Sequence, residues 1–128
     1  MGYGYAKEVD FPVDEAIERV TTELGQEGFG ILTQIDVKTT LKKKLDEDVR
    51  PYVILGACNP QIAHQAMTIE AELGLLLPCN VIVYENESGK TVVSAIDAAR
   101  MLSVVENPEL AGAAELVNSK LRSAVDRL

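Results

Sequence analysis

The sequence has few residues that bind transition metals: one histidine, His64, and two cysteines, Cys58 and Cys79. A structural zinc site takes four ligands at characteristic spacing, and here only three soft or nitrogen ligands exist. A closed zinc site within one chain is therefore not expected. Two other metal sites are still possible: a site of three ligands with one free coordination position, or a site of two thiolates for another, soft metal.

Long apolar runs are also missing. The N-terminal segment "MGYGYAKEVDF" lacks the apolar core of a signal peptide, and no run approaches the roughly 20 residues that a membrane-spanning helix needs. We expect a cytoplasmic protein that does not interact with membranes. Two cysteines in that compartment are expected to be reduced thiols, so any chemistry they perform would be metal or redox chemistry.

Basic residues are in the minority. Twelve lysines and arginines stand against 20 aspartates and glutamates, which gives a formal net charge of -8. Because binding to a phosphate backbone needs a basic patch, nucleic acid is not an expected partner. The only basic run, "LKKK" at residues 41–44, is followed at once by "LDED" and is typical of a solvated helix face.

Motifs for nucleophilic serines and for phosphate binding are absent as well. The glycines of "GQEGFG" come in the order GxxGxG, after a predicted helix and before a predicted strand. A dinucleotide-binding fingerprint follows a strand and opens a helix. If the protein is an enzyme, its chemistry depends on Cys58.

Apolar spacing divides the 128 residues into secondary structure elements without a linker, and a single domain over residues 1–128 is predicted. Alternation predicts an edge strand in "YGYAKEV", and helical spacing predicts a helix in "FPVDEAIERVTTELGQEG". A strand in "FGILTQIDV" and a short helix in "KTTLKKKLDED", with Leu41 and Leu45 facing inward, follow. The second half begins with a central strand in "RPYVILGAC" and a helix in "NPQIAHQAMTIEAE".

The remaining segments predict a hairpin and a long helix. "CNVIVYE" and "KTVVSAI" flank the turn "NESG". After a short helical turn, a helix starts at Asn107 and Pro108, with an apolar stripe from Leu110 to Leu128. This order predicts an α+β fold with two layers, in which a mostly antiparallel sheet carries helices packed on one face.

Three segments together carry a resemblance to a known family: "FGILTQIDVKTTLKKKL", "YVILGACNPQIAHQAM" and "LGLLLPCNVIVYE". The chain resembles the bacterial and archaeal family called domain of unknown function 302 over nearly its whole length. That family commonly has a glycine where this chain has Asp46. The resemblance implies a compact, often dimeric α+β domain, and it implies no established activity.

Cys58 is the first candidate site residue. It lies before Asn59, a candidate N-cap, and Pro60, a candidate first helical residue. A thiol at a helix N-terminus is close to the positive end of the helix dipole, which favours the thiolate. The alternative is that Cys58 is a small buried hydrophobic residue.

Four further residues complete the candidate site. Cys79 opens a strand and would approach Cys58 if the hairpin begins at the sheet end where the "YVILGAC" strand finishes. Asn59 and Asn80 each follow a cysteine and are candidates for ligand binding, or only for cap and turn roles. His64 lies six residues after Cys58 and is a tentative third metal ligand, or a surface residue.

Three functions are compatible with these residues. The chain is predicted to be a binding module, in which Cys58, Cys79 and tentatively His64 hold a small ligand or a soft or borderline metal ion. A thiol-dependent redox enzyme is the catalytic variant of the same site. The alternative is a homodimeric interaction or scaffold domain whose cysteines only pack. We expect a homodimer, formed through the long C-terminal helix or the first strand.

Overall fold

The computed structural model describes residues 2–128, which form five strands and five α-helices. The strands are β1 (Gly4–Val9), β2 (Gly30–Asp36), β3 (Tyr52–Cys58), β4 (Cys79–Glu85) and β5 (Thr91–Ile96). The α-helices are α1 (Val13–Gln26), α2 (Val37–Leu45), α3 (Pro60–Ile69), α4 (Ala98–Ser103) and α5 (Ala111–Asp126). Two short 3₁₀ helices, Ala71–Leu76 and Pro108–Leu110, precede β4 and α5. The order of strands and α-helices agrees with the predicted one, but α3 ends at Ile69, earlier than predicted, and the 3₁₀ helix Ala71–Leu76 was not predicted.

The strands form one antiparallel sheet in the order β1-β5-β4-β3-β2. β4 is the central strand, whereas β3, which was predicted to be central, lies between β4 and the edge strand β2. β1 lies at an edge as predicted. At the opposite edge, β2 has an irregular register between Ile31 and Thr33. An antiparallel sheet accompanied by helices confirms the α+β fold class.

The main core lies between the sheet and two helices, α1 and α5. Helix α1 buries the four residues whose helical spacing predicted it, Val13, Ala16, Val20 and Leu24. Alternate residues of the strands face these helices, and the fully buried ones include Leu55, Val81, Val83 and Val93. Because this face is covered, successive residues of each strand alternate between the core and the other face.

Helix α5 begins at Ala111, later than predicted, because Pro108–Leu110 forms a 3₁₀ turn. Its predicted apolar stripe is buried, at Val117, Leu121 and Ala124 among others. The stripe therefore packs within the chain rather than offering a partner surface, and Leu116, 47% exposed, is the large apolar residue that α5 leaves outside.

An ionic contact joins the last residues to α1. The guanidinium of Arg127 donates to the Glu23 carboxylate at 2.6 Å and to the Glu27 carboxylate at 2.8 Å. These bonds raise the pKa of Arg127, the one to Glu23 most strongly. The contact fixes the C-terminal end of α5 against α1.

Helix α2 contacts β2 and β3 and carries the basic run on an exposed surface. Lys42 pairs with Asp46 at 2.8 Å and with Asp48 at 3.4 Å, which confirms a solvated helix face. Leu41 is partly buried, whereas Leu45 is 64% exposed and does not face inward as expected. The reason is that the helix ends there, since the backbone turns into the left-handed region at Asp46.

Candidate functional site

The turn from β3 into α3 is built by Asn59. Its side-chain oxygen accepts a hydrogen bond from the backbone N–H of Ile62 at 3.3 Å, and Pro60 occupies the first helical turn. Such a cap satisfies one of the N–H groups that a helix start leaves without a partner. Cys58 is therefore the last residue of a strand, immediately before a capped helix, as predicted.

Asn59 also connects this turn to α1. Its side-chain amide donates a hydrogen bond to the carbonyl oxygen of Glu27 at 3.3 Å. The next residue, Gly28, has a φ of +86°, and a Cβ there would lie 2.9 Å from the Asn59 amide nitrogen. Glycine at position 28 thus leaves the space and the backbone freedom that this hydrogen bond needs.

Cys79 lies at the same end of the sheet as Cys58. Cys79 pairs with Ala57 across β3 and β4, one residue from Cys58. Standard strand geometry then separates the two cysteine Cα atoms by about 6 Å. The structure therefore places both cysteines at one end of the sheet, and both are free thiols. Strand alternation puts Cys79 on the core face with Ala57, and Cys58 on the other face with Gly56.

The two thiols differ in their surroundings. Cys79 is buried, at 6% exposure, whereas Cys58 is partly exposed. Burial, and secondarily the charge of Cys58, raises the pKa of the Cys79 thiol to about 11. Cys79 is consequently protonated at neutral pH, and a thiol in that state is a poor nucleophile.

Both cysteines line a partly open cavity of about 40 Å³. Its walls come from the ends of β3 and β4, from α3, from the 3₁₀ helix Ala71–Leu76, and from α4 and α5. Apart from Asn59 and the cysteines, every lining residue is apolar. A space of about 10–15 Å³ already holds one water molecule, so the cavity has room for a small group of atoms.

The two other candidate residues lie outside this lining. His64 is exposed on α3. Asn80 is also exposed, and it pairs with Gly56 on the sheet face opposite to that of Cys79. Among residues 2–128, no three side chains of the His, Cys, Asp or Glu type come together as metal ligands. Three of the five candidates, Cys58, Asn59 and Cys79, thus line one cavity.

Sequence reasoning missed most of the cavity wall. Met101 of α4, Phe29 before β2, and Leu73 of the 3₁₀ helix contribute to it, together with Val117 of α5. These residues are far apart in the chain, and each resembles an ordinary core position. Only the apolar character of their segments was a signal, and it does not distinguish a cavity from a filled core.

The two strand-end aspartates act as helix caps. Asp36 accepts from the N–H of Thr39 at 3.0 Å, and Asp97 accepts from that of Arg100 at 3.0 Å. A hydrogen bond from the Asn118 side chain, and then the one from Arg100, lowers the pKa of Asp97. These contacts give both carboxylates a structural role.

The chain is similar to known proteins over nearly its whole length. The sequence matches the family model described as Domain of unknown function DUF302 over residues 5–128. The fold is similar to a structure described as "Crystal structure of uncharacterized conserved protein DUF302 from Bacillus stearothermophilus", with a TM-score of 0.93. The two chains are 31% identical, and the similarity covers 99% of this chain and 98% of that one.

No curated protein matches the sequence. Within residues 2–128, none of the helices combines the length and the apolar character needed to cross a bilayer. Since the family model spans nearly the whole chain, the chain belongs to the family of the domain of unknown function DUF302.

Proposed function

We propose that this protein is a small-ligand binding module whose site is the cavity beside Cys58 and Cys79. The observation that carries the proposal is the apolar lining of this cavity, to which one partly exposed cysteine and one buried cysteine both contribute. Ligand sites are typically concave and mostly apolar, with a few polar groups that fix orientation. Asn59 and the thiols are those polar groups here.

The lining also defines the class of ligand. A charged molecule entering an apolar cavity loses its hydration, which costs several kcal/mol unless a partner charge compensates. The ligand is therefore a small apolar molecule, or the apolar end of a longer one that reaches out past Cys58. The volume of about 40 Å³ limits the buried part to a few non-hydrogen atoms.

The proximity of the two thiols supports a second ligand, a soft metal ion bound by Cys58 and Cys79. Thiolates select soft ions. Because Cys79 has a pKa of about 11, metal binding must displace its proton, and affinity must rise with pH. In a redox enzyme built on the same site, Cys58 would be the attacking thiol, because Cys79 stays protonated at neutral pH. Reduced thiols of this kind fit a cytoplasmic protein.

Native mass spectrometry of untagged protein tests the proposal, together with xenon titration followed through side-chain methyl signals. Filling the cavity with Ala66→Leu on α3 should abolish both a co-purified mass and the xenon shifts of lining residues such as Ile62 and Leu73. Ala71 is exposed, so Ala71→Leu is the matched control and should change neither. Absence of any bound mass and of xenon shifts in the unaltered protein would refute the proposal.

Elemental analysis separates the metal form from the organic one. A stoichiometric metal that is lost in both Cys58→Ser and Cys79→Ser supports the metal form. A co-purified organic mass with no metal supports the apolar ligand.

We also propose that the protein associates as a homodimer. The second face of the sheet supports this, since it presents apolar side chains that α1 and α5 do not cover. Sedimentation equilibrium at micromolar concentration is the test. A species of 13.9 kDa, the mass of one chain, would contradict it.

A further inference from the structure

The sheet has a second face, opposite α1 and α5, which we call the open face. It consists of the outward strand residues Gly4, Ala6, Glu8, Gly30, Thr33, Ile35, Tyr52, Ile54, Gly56, Cys58, Asn80, Ile82, Tyr84, Val92, Ser94 and Ile96. One row crosses all five strands in register: Ala6, Ser94, Ile82, Ile54 and Ile35. Three isoleucines therefore lie side by side over β4, β3 and β2.

The open face is apolar well beyond this row. Tyr52 and Tyr84 stack beside it, with ring centroids 5.2 Å apart. At the β2 edge, Ile35 is 49% exposed, and Leu32 at the bulge is 67% exposed. Tyr52, Ile54, Ile82 and Tyr84 are partly exposed. Large apolar side chains grouped on one surface in this way indicate an interaction site rather than ordinary surface composition.

We infer that the open face is the surface through which two copies of this chain associate, sheet against sheet. The inference rests on the proposed homodimer and adds its interface. It replaces the route through α5 expected from the sequence, since the stripe of α5 is buried within the chain.

Charge favours a second copy as the occupant. Each chain carries a net charge of -8, and two copies repel each other wherever acidic residues meet. On the open face, Glu8 is the one ionisable carboxylate, and it lies on the edge strand β1. Two open faces can therefore meet with little repulsion, whereas a charged peptide or a nucleic acid would find no charged residue except Glu8 on this face.

The area is sufficient for a dimer. Five strands spaced about 4.8 Å apart, each about six residues long, give a face of about 24 Å by 20 Å. Two such faces bury about 1,000 Å² between them, which is near the lower limit for a specific interface. The flank of α2 beside β2 and β3 can add to this.

The two edges of the open face are complementary to each other. The β2 edge carries the large side chains of Leu32 and Ile35, whereas the β1 edge carries Gly4 and Ala6. A twofold axis parallel to β4 places the large edge of one copy over the small edge of the other. The same operation brings the basic helix α2 towards the partner's edge strand β1, which carries the acidic residue on this face.

Sedimentation velocity on matched variants tests this interface. Ile35→Lys places a charge on the open face at a position already half exposed, so folding should be retained. We expect it to raise the dimer dissociation constant by about tenfold or more. An effect of that size is typical of an interface residue that contributes strongly to binding. Leu116→Lys introduces the same charge on α5 at nearly equal exposure, 47%, and should leave the constant unchanged.

A second variant, Ile82→Lys, changes the centre of the row, with circular dichroism to verify its fold. If the unaltered protein is a dimer and neither open-face variant weakens it, the inference is wrong while the homodimer stands. The same holds if Leu116→Lys weakens the dimer as much as Ile35→Lys does. An unaltered protein that is monomeric overturns both.

Discussion

The Asn59 side chain donates a hydrogen bond to the backbone carbonyl of Glu27 at 3.3 Å, while its oxygen caps α3 through Ile62. One residue therefore holds the cysteine-bearing end of β3 against the end of α1. Glu27 is fixed in turn by Arg127. The position of Cys58 beside the cavity depends on these contacts.

We predict that Asn59→Ala lowers the free energy of unfolding by about 1–3 kcal/mol, since it removes both a helix cap and a bond to a carbonyl. Asn59→Asp keeps the capping oxygen and removes the donor, so its loss should be smaller. Urea denaturation of the three proteins measures the difference. Equal losses in both variants would show that the bond to Glu27, and not the cap, carries the stability.

The two cysteines should differ in reactivity. Cys79 is buried and has a pKa of about 11, and alkylation requires the thiolate. At pH 7 we expect iodoacetamide to modify the Cys58→Ser variant, which retains Cys79, at least about 100-fold more slowly than an ordinary thiol. The Cys79→Ser variant, which retains Cys58, should react much faster.

Mass spectrometry of the folded variants gives these rates, and the same proteins in urea give the reference rates. Equal rates for the two folded variants would contradict the assignment of Cys79 as the buried thiol.

The raised pKa of Cys79 also predicts a dependence of stability on pH. Below about pH 9 the thiol is protonated in the folded and unfolded states alike. Between about pH 9 and 11 the unfolded chain loses this proton while the folded chain keeps it, so rising pH favours unfolding. The contribution lost should reach about 2 kcal/mol at pH 11, where the folded thiol is itself half ionised, for a shift of two pKa units.

Denaturation at several pH values checks this dependence. Cys79→Ala should lose stability less steeply between pH 9 and 11 than the unaltered protein, whatever its stability at neutral pH. Cys58→Ala is the control, and it should keep the steep part of the curve. Parallel curves for all three proteins would show that other groups cause the alkaline loss.

Local sequence patterns were sufficient for the elements and for the turn beside Cys58. The spacing of Val13, Ala16, Val20 and Leu24 predicts α1 because one face of a helix repeats every 3.6 residues. Asn59 followed by Pro60 predicts the start of α3, since cap preferences depend only on neighbouring backbone groups.

The cavity and the positions of two candidates depend on contacts that no local pattern contains. Met101 of α4 and Phe29 before β2 line the same cavity only because the fold places these distant segments around it. Asn80 could have been separated from Cys79 on general grounds, because consecutive strand residues face opposite sides of a sheet. The exposure of His64 depends on which side of α3 packs, and the single apolar turn around Ile62 and Ala66 indicates that side only weakly.

The last prediction concerns Asp46, which ends α2 with a φ of 55°. A residue with a Cβ is strained in this left-handed conformation, although aspartate is strained less than most. Glycine is the usual residue at such a helix end, and the family resemblance implies glycine here. We expect Asp46→Gly to raise the free energy of unfolding by about 0.5–1 kcal/mol, measured by urea denaturation.

Asp48→Gly is the matched control, because Asp48 is also exposed and also pairs with Lys42, at 3.4 Å. The two variants lose the same charge and a similar surface ion pair, which contributes little. Only position 46 has the left-handed backbone of the two. Asp48→Gly should therefore leave stability unchanged or slightly lower it, because glycine adds freedom to the unfolded chain. If Asp46→Gly is no more stable than Asp48→Gly, the helix end is not strained by its aspartate.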